Sequence, residues 1–364
     1  MNDLFTRQFV TGRQATIDVN ALGIVLAFCG FAVIHAMVAD AFQSLDASRF
    51  AASLVPLSLL LLGGIGLGRA LASVPAQKFD RVARLSFGVL CFVMILHFTP
   101  FQPRASEFPK STFPFTETSH FGLAFAPVLM YMAVRSGSRA KIRWVLASFA
   151  IAVVMQSMVL MVAAVLIALA CRKLLIVAQL SIPVVILGLP FLGYFGSRLN
   201  IAGEVSNLST LVYIQGWDQL FESLSLTHGW GVGLLQLGVH GTDSAASVLI
   251  RGLTAGADLN LTDGSFELAK LGGEFGVLGI AACAAILMLG AQCVGALRKE
   301  QRDPRRTFAY GVIALYSIDI IVRGTGYFTG STLVFVAAIT MFAARGARST
   351  VPRQIEYRGA SSAN

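Results

Sequence analysis

Residues 262–280 read TDGSFELAKLGGEFGVLGI, a glycine-rich apolar run that nevertheless carries Asp263, Glu267, Lys270 and Glu274. Steps of four, three and four residues place all four charges on one face of an α-helix. Beyond Glu274 no charged residue follows until Arg298, a stretch long enough to cross the hydrocarbon core, which takes about 20 mostly apolar residues. The reading is therefore a membrane helix with a charged stripe down its mouth. An ionisable group inside a span costs about 2.5–3.5 kcal/mol on insertion scales, so such a stripe marks a functional site by default.

The rest of the chain agrees with a membrane environment. Only 13% of its 364 residues are charged and 55% are hydrophobic, where a soluble domain carries roughly 25% charged residues. Residues 144–171 and 174–197 are further charge-free runs. The formal net charge of +9 does not point to nucleic acid, because Lys and Arg fall mainly in short loops between apolar runs, as membrane topology requires. Cys29, Cys91, Cys171, Cys283 and Cys293 lie within or at the ends of apolar segments, with no CxxC pair or Cys/His cluster. Neither a metal site, a disulfide framework nor a cofactor is implied. The first apolar run starts near Val19 and is long enough to be an uncleaved helix rather than a signal peptide.

Loop charge sets the topology. Candidate spans are 19–39, 50–68, 85–101, 119–134, 144–155, 159–171, 174–196, 266–297, 307–322 and 327–344. The stretch 144–171 is either one helix or a hairpin turning near Gln156 and Ser157. Read as a hairpin, it leaves 21 of the 28 Lys and Arg on one side, including the strongly basic 298–306 loop. Read as one helix, it puts that loop outside, against the positive-inside rule. The expected fold is all-α and polytopic, with about ten transmembrane helices and one long periplasmic loop. Residues 1–18 form a cytoplasmic N-terminus, 19–196 the first seven helices, 197–265 the long loop, 266–344 the last three helices and 345–364 a cytoplasmic tail.

Seven cations remain on the exterior side: Arg49, Arg104, Lys110, Arg198, Arg251, Lys270 and Arg323. Arg198 follows the seventh span and serves either as an interfacial anchor or as a ligand for phosphate oxygens. Arg251 sits in a short apolar run that suits an amphipathic helix at the interface. Arg323 ends the ninth span four residues after Asp319, so the two can neutralise each other. Asp263, in "TDGS", fits a helix N-cap as well as a catalytic base. Glu267, Lys270 and Glu274 lie deeper and favour the lining of a polar cavity, where two arginines would complete a diphosphate site. The long loop adds Tyr213, Trp217, Trp230, His228 and His240. Its "THGWGVGLLQLG" permits tight turns and close backbone approach. It follows no strand, so it is not a dinucleotide fingerprint, and the absence of D-x-D leaves a metal-bound nucleotide-sugar site without support.

Arg198 after a run of spans, "GWGVGLLQLG" at 229–238 and "LGGEFGVLG" at 271–279 together resemble the O-antigen polymerase and O-antigen ligase superfamily. The resemblance covers residues 140 to 300 or so. It implies a GT-C-like, metal-independent inverting glycosyltransferase at the periplasmic face of a bacterial inner membrane. Such enzymes take a glycan from an undecaprenyl diphosphate carrier and pass it to a sugar hydroxyl, with arginines holding the diphosphate. Arg198 and Arg251 match that role here. Asp263 or Glu267 would supply a catalytic carboxylate, with His228 or His240 of the loop as the alternative base, and Lys270, Glu274, Arg323, Tyr213, Trp217, His228 and Trp230 would bind substrate. The ligase branch carries a histidine about nine residues before the Glu of E-x-G-x-x-G, and that position is Ser265. The expectation is accordingly a polymerase of lipid-linked repeat units, with a chain-length regulator as a candidate partner. A ligase, a lipid-linked glycan transporter and a scaffold of an envelope complex follow in that order. Transporters often pair broken helices across two repeats, whereas the polar features here cluster in one half.

Overall fold

The computed structural model describes residues 19–99, 112–115, 117–171, 208–239, 244–254, 256, 262, 265–299, 303–322 and 326–349. Among them the chain forms helices α1 (Val19–Asp40), α2 (Ala47–Ser73), α3 (Ala76–His97), α4 (Thr118–Arg135), α5 (Ser138–Val154) and α6 (Met158–Cys171). After these come α7 (Leu208–Leu226), α8 (Ala245–Leu253), α9 (Glu267–Leu297), α10 (Pro304–Val322) and α11 (Gly330–Ser349). A single isolated bridge joins Thr112 and Phe115, and no strand occurs among the described residues. The fold is all-helical. Three helices, α1, α2 and α9, are long and apolar enough to cross a membrane, and α6 and the first part of α11 are shorter apolar helices. Ile24, Leu26, Leu59, Phe92, Val277 and Met288 are all exposed. That much outward apolar surface fits contact with a lipid bilayer.

The stretch 144–171 folds as two helices. Gln156 takes a positive φ of 47° between them. Ser157 then starts α6, its hydroxyl accepting from the Leu160 N–H at 3.4 Å and its carbonyl from Met161 N–H at 3.0 Å. The hairpin packs with α4 into a core built on Phe121, Phe125, Phe149, Leu160 and Ile167. The expected seventh span, 174–196, lies outside the described residues. The segment 197–265 is less irregular than a long loop would be, since it carries α7 and α8.

Close approach of helices rests on small residues, as is usual where no water drives association. Along α2, Gly64 meets Val336 and the Leu333 carbonyl, and Gly68 meets Thr340 and the Ala337 carbonyl, of α11. In α9, Gly290 lies against Ser317 of α10. At the basic end of the bundle, Arg305 donates to the carbonyls of Ala72 and Val74 at 3.1 and 2.8 Å. Arg298 donates to Leu169 O at 2.9 Å. Tyr131 donates to Asp80, which also binds Arg84 at 2.9 Å. The end of α2 is thereby fastened to the start of α10, the end of α9 to the end of α6, and the end of α4 to the start of α3.

Gly68→Ala would push a methyl into the Ala337 backbone, whereas Gly66 has open space around it. Overpacking of this kind costs about 1–3 kcal/mol. We expect Gly68→Ala to lower the melting temperature of the detergent-solubilised protein and Gly66→Ala to leave it unchanged or raised. Equal behaviour of the two variants would remove the α2–α11 contact from the stability of the fold.

A candidate site at a broken helix

The charged stripe is on α9, whose axis is interrupted at Gly276, with φ 59° and ψ −137°. A break in an apolar helix strands backbone groups that lipid cannot satisfy. The segment 229–233, GWGVG, supplies the missing partners. Val232 N–H donates to Gly273 O at 3.0 Å and Gly233 N–H to Glu274 O at 2.9 Å. Beyond the break, Val277 N–H donates to Gly229 O at 2.9 Å. The Ser223 hydroxyl of α7 donates to Gly273 O as well, and the Thr227 hydroxyl accepts from Gly231 N–H at 2.8 Å. Gly231 takes φ +95°, and any Cβ there would overlap the backbone at Glu274 and Gly276. The converse holds at Gly276, where a Cβ would strike the Gly229 carbonyl. Two glycine-bearing segments fit only because neither has a side chain at the crossing.

Around this join the side chains are placed with equal economy. Glu267, Lys270 and Glu274 are 2%, 2% and 1% exposed. The Tyr316 hydroxyl of α10 donates to Glu267 Oε1 at 2.7 Å and lies 3.4 Å from the Thr332 hydroxyl of α11. Tyr327, in the link between α10 and α11, donates to Glu274 Oε2 at 2.9 Å. The same ring lies under Lys270 Nζ, 4.9 Å from its centroid, within reach of a cation–π attraction. The stripe is thus enclosed by its neighbours, with two tyrosine hydroxyls standing on the carboxylates. Buried carboxylates of this kind can accept a proton or orient a hydroxyl, and the nearby ammonium can meet negative charge.

Other expected residues distribute around this centre. Tyr213 stacks on Phe266 at 4.6 Å and Trp217 lies tilted against the same ring at 5.3 Å, so both flank the start of α9. Trp230 and His228 turn toward α1 instead: Trp230 stacks on His35 at 5.0 Å, and exposed His228 meets Phe42 edge-on at 6.1 Å. Arg251 occupies the last turn of α8, which rests Ala246 and Ile250 on Leu211 of α7. Arg198, His240, Asp263 and Arg323 lie outside the described residues. The N-cap position of α9 is Phe266, with no side-chain cap bond.

His35 and Gln236 escape a reading of the sequence, in which Arg49 figures only as an exterior cation. His35 of α1, 1% exposed, places Nε2 3.1 Å from Trp230 O, while Trp230 Nε1 donates to His35 O at 3.2 Å. A lone histidine inside an apolar run was the available signal. Arg49 donates to Leu235 O at 2.6 Å and to Thr262 O. Gln236 accepts from Asp46 N–H at 3.0 Å and donates to Asp46 O at 3.2 Å. These contacts tie the 229–238 segment to the start of α2. No protein-family model matches the chain, and no curated protein matches it.

Gly276→Ala should unlatch the 229–233 segment, with a large drop in melting temperature, whereas Gly295→Ala, in open space, should change stability by at most about 1 kcal/mol. Equal melting of the two would show that the crossing is not a close fit. A second expectation concerns acid. The Arg49 N–H, the Ser48 hydroxyl and further contacts hold the Asp46 carboxyl below the ordinary carboxylate range. Its contribution to stability is therefore complete above about pH 4, the ordinary Asp value, and is lost as pH falls through the lowered one. Thermal unfolding followed from neutral to acid pH should show a shallower decline in Asp46→Asn than in the parent; identical slopes would rule this cap out as a contributor.

Proposed function

We propose that the protein is a glycosyltransferase of a bacterial inner membrane that polymerises undecaprenyl-diphosphate-linked oligosaccharide repeat units into exopolysaccharide, capsule or O-antigen. The observation that carries this reading is the buried Glu267–Lys270–Glu274 stripe at the mouth of a membrane helix broken at Gly276. Burying three ionisable side chains in an apolar helix is costly, and three together suit chemistry on a charged, hydroxyl-rich substrate. In this reading a substrate hydroxyl displaces Tyr316 from Glu267, which then takes its proton as general base. Lys270 and exterior arginines, Arg198 first among them, stabilise the departing diphosphate. Ten spans, both termini cytoplasmic and a periplasmic site complete the proposal. The meeting of the basic loops at one end of the bundle supports that sidedness.

A lipid-linked glycan transporter is the second reading, and one observation favours it. Discontinuous helices are how many transporters build a substrate site, and α9 is discontinuous.

Membranes containing the protein, supplied with undecaprenyl-diphosphate-linked repeat units, should yield a ladder of polymer lengths. Transfer of a single pre-formed glycan without a ladder would replace the polymerase by a ligase, and unchanged repeat units would favour the transporter. Glu267→Gln should slow polymerisation by about 10²–10⁴-fold, the usual share of a general base. Arg198→Lys should also lose most activity, because a point charge does not reproduce the guanidinium fork. Full turnover in either variant, at normal abundance in the membrane, would remove that residue from the site.

A further inference from the structure

At the basic end of the bundle, far from the stripe along α9 and α10, a cleft of about 190 Å³ opens between α10 and α11. Arg305 and Arg306 line its polar end, and Ala309, Tyr310, Met341 and Phe342 line the rest. The two arginines are not equivalent. Arg305 grips both oxygens of Asp303 at 3.0 and 3.2 Å and donates to the Ala72 and Val74 carbonyls. It is a structural fastener, its charge offset by a carboxylate. Arg306 is exposed, and no carboxylate pairs with it among the described residues. It stands in the first turn of α10, where the aligned peptide dipoles add positive potential. Below it the cleft turns apolar, with Phe342 46% exposed and its ring 5.9 Å from that of Tyr310.

A cation above an apolar slot, between the start of α10 and the apolar helix α11, matches an amphiphile with an anionic head. We propose that this cleft holds the headgroup of an anionic phospholipid, with Arg306 on the phosphate. Tyr310, Met341 and Phe342 receive the glycerol backbone and the first methylenes. The volume suits a headgroup rather than a whole lipid, so the acyl chains leave the cleft past exposed Phe342 of α11. A soluble phosphate would use the arginine alone and leave the apolar wall without a purpose. The site does not depend on the activity proposed above.

The test is native mass spectrometry of the full-length protein in detergent, with phosphatidylglycerol and phosphatidylcholine of identical acyl chains. One arginine near an anionic headgroup is worth about fivefold in affinity. Phosphatidylglycerol should therefore be retained about fivefold over phosphatidylcholine, and Arg306→Ala should abolish the preference while the melting temperature stays unchanged. Phe342→Ala should weaken both lipids alike. Equal retention of the two lipids by the parent protein would overturn the proposal, as would a preference that survives in Arg306→Ala. So would inorganic phosphate that displaces the lipid and itself protects the parent protein but not Arg306→Ala against heat, since the ligand would then be the soluble anion.

Discussion

Everything around the candidate site depends on the hydrogen bonds by which residues 229–233 replace those that α9 loses at Gly276. A helix crossing lipid is self-sufficient in backbone hydrogen bonds, and each buried group left unpaired costs about 1–3 kcal/mol. Gly273 O, Glu274 O and Val277 N–H, all at the break, find partners in one short segment. That segment is held further by the Thr227 hydroxyl and by His35 of α1, and the chain just beyond it by Arg49 of α2 at Leu235. The break thereby becomes a fixed element of the architecture, and the stripe beside it is fixed with it.

The partners of the stripe follow from the same logic. A carboxylate taken from water needs a donor, and Tyr316 and Tyr327 each bring a hydroxyl on an aromatic body that the apolar surroundings accept. Phe335 stacks on Tyr316 at 3.9 Å, which fixes that ring. The charged face of α9 is therefore met by side chains that are themselves mostly apolar, and the bundle keeps its packing on both sides.

How much of this the sequence discloses depends on the range of the cause. Long apolar runs identify α1, α2 and α9 because spanning length is a local property. The turn at Gln156 was legible through the charges of distant loops, which constrain how many times the chain crosses. The stripe on α9 was legible because helical spacing is local too. The break at Gly276 was not: the glycines of "LGGEFGVLG" permit it, but it is stabilised by a segment some forty residues away. The tyrosines were equally hidden, since nothing in the spacing of Tyr316 and Tyr327 shows that they reach the carboxylates of another helix. Residues 208–226 read as part of a loop because their apolar stripe is interrupted by Gln215, Gln219 and Ser223, whereas the run around Arg251 already suits a short amphipathic helix, which is α8. Those polar side chains are buried, Ser223 against Gly273. Polarity at Ser223 reports a neighbouring backbone and not a solvent-facing surface.

Tyr327 answers two charges of opposite sign with different parts of one side chain, its hydroxyl on Glu274 and its ring beneath Lys270. A change at any of the three alters the surroundings of the other two, so their energetic effects cannot be summed. A single substitution in the trio strands a charge in an apolar interior. The short link between α10 and α11 that carries Tyr327 is thereby tied to the charged face of α9.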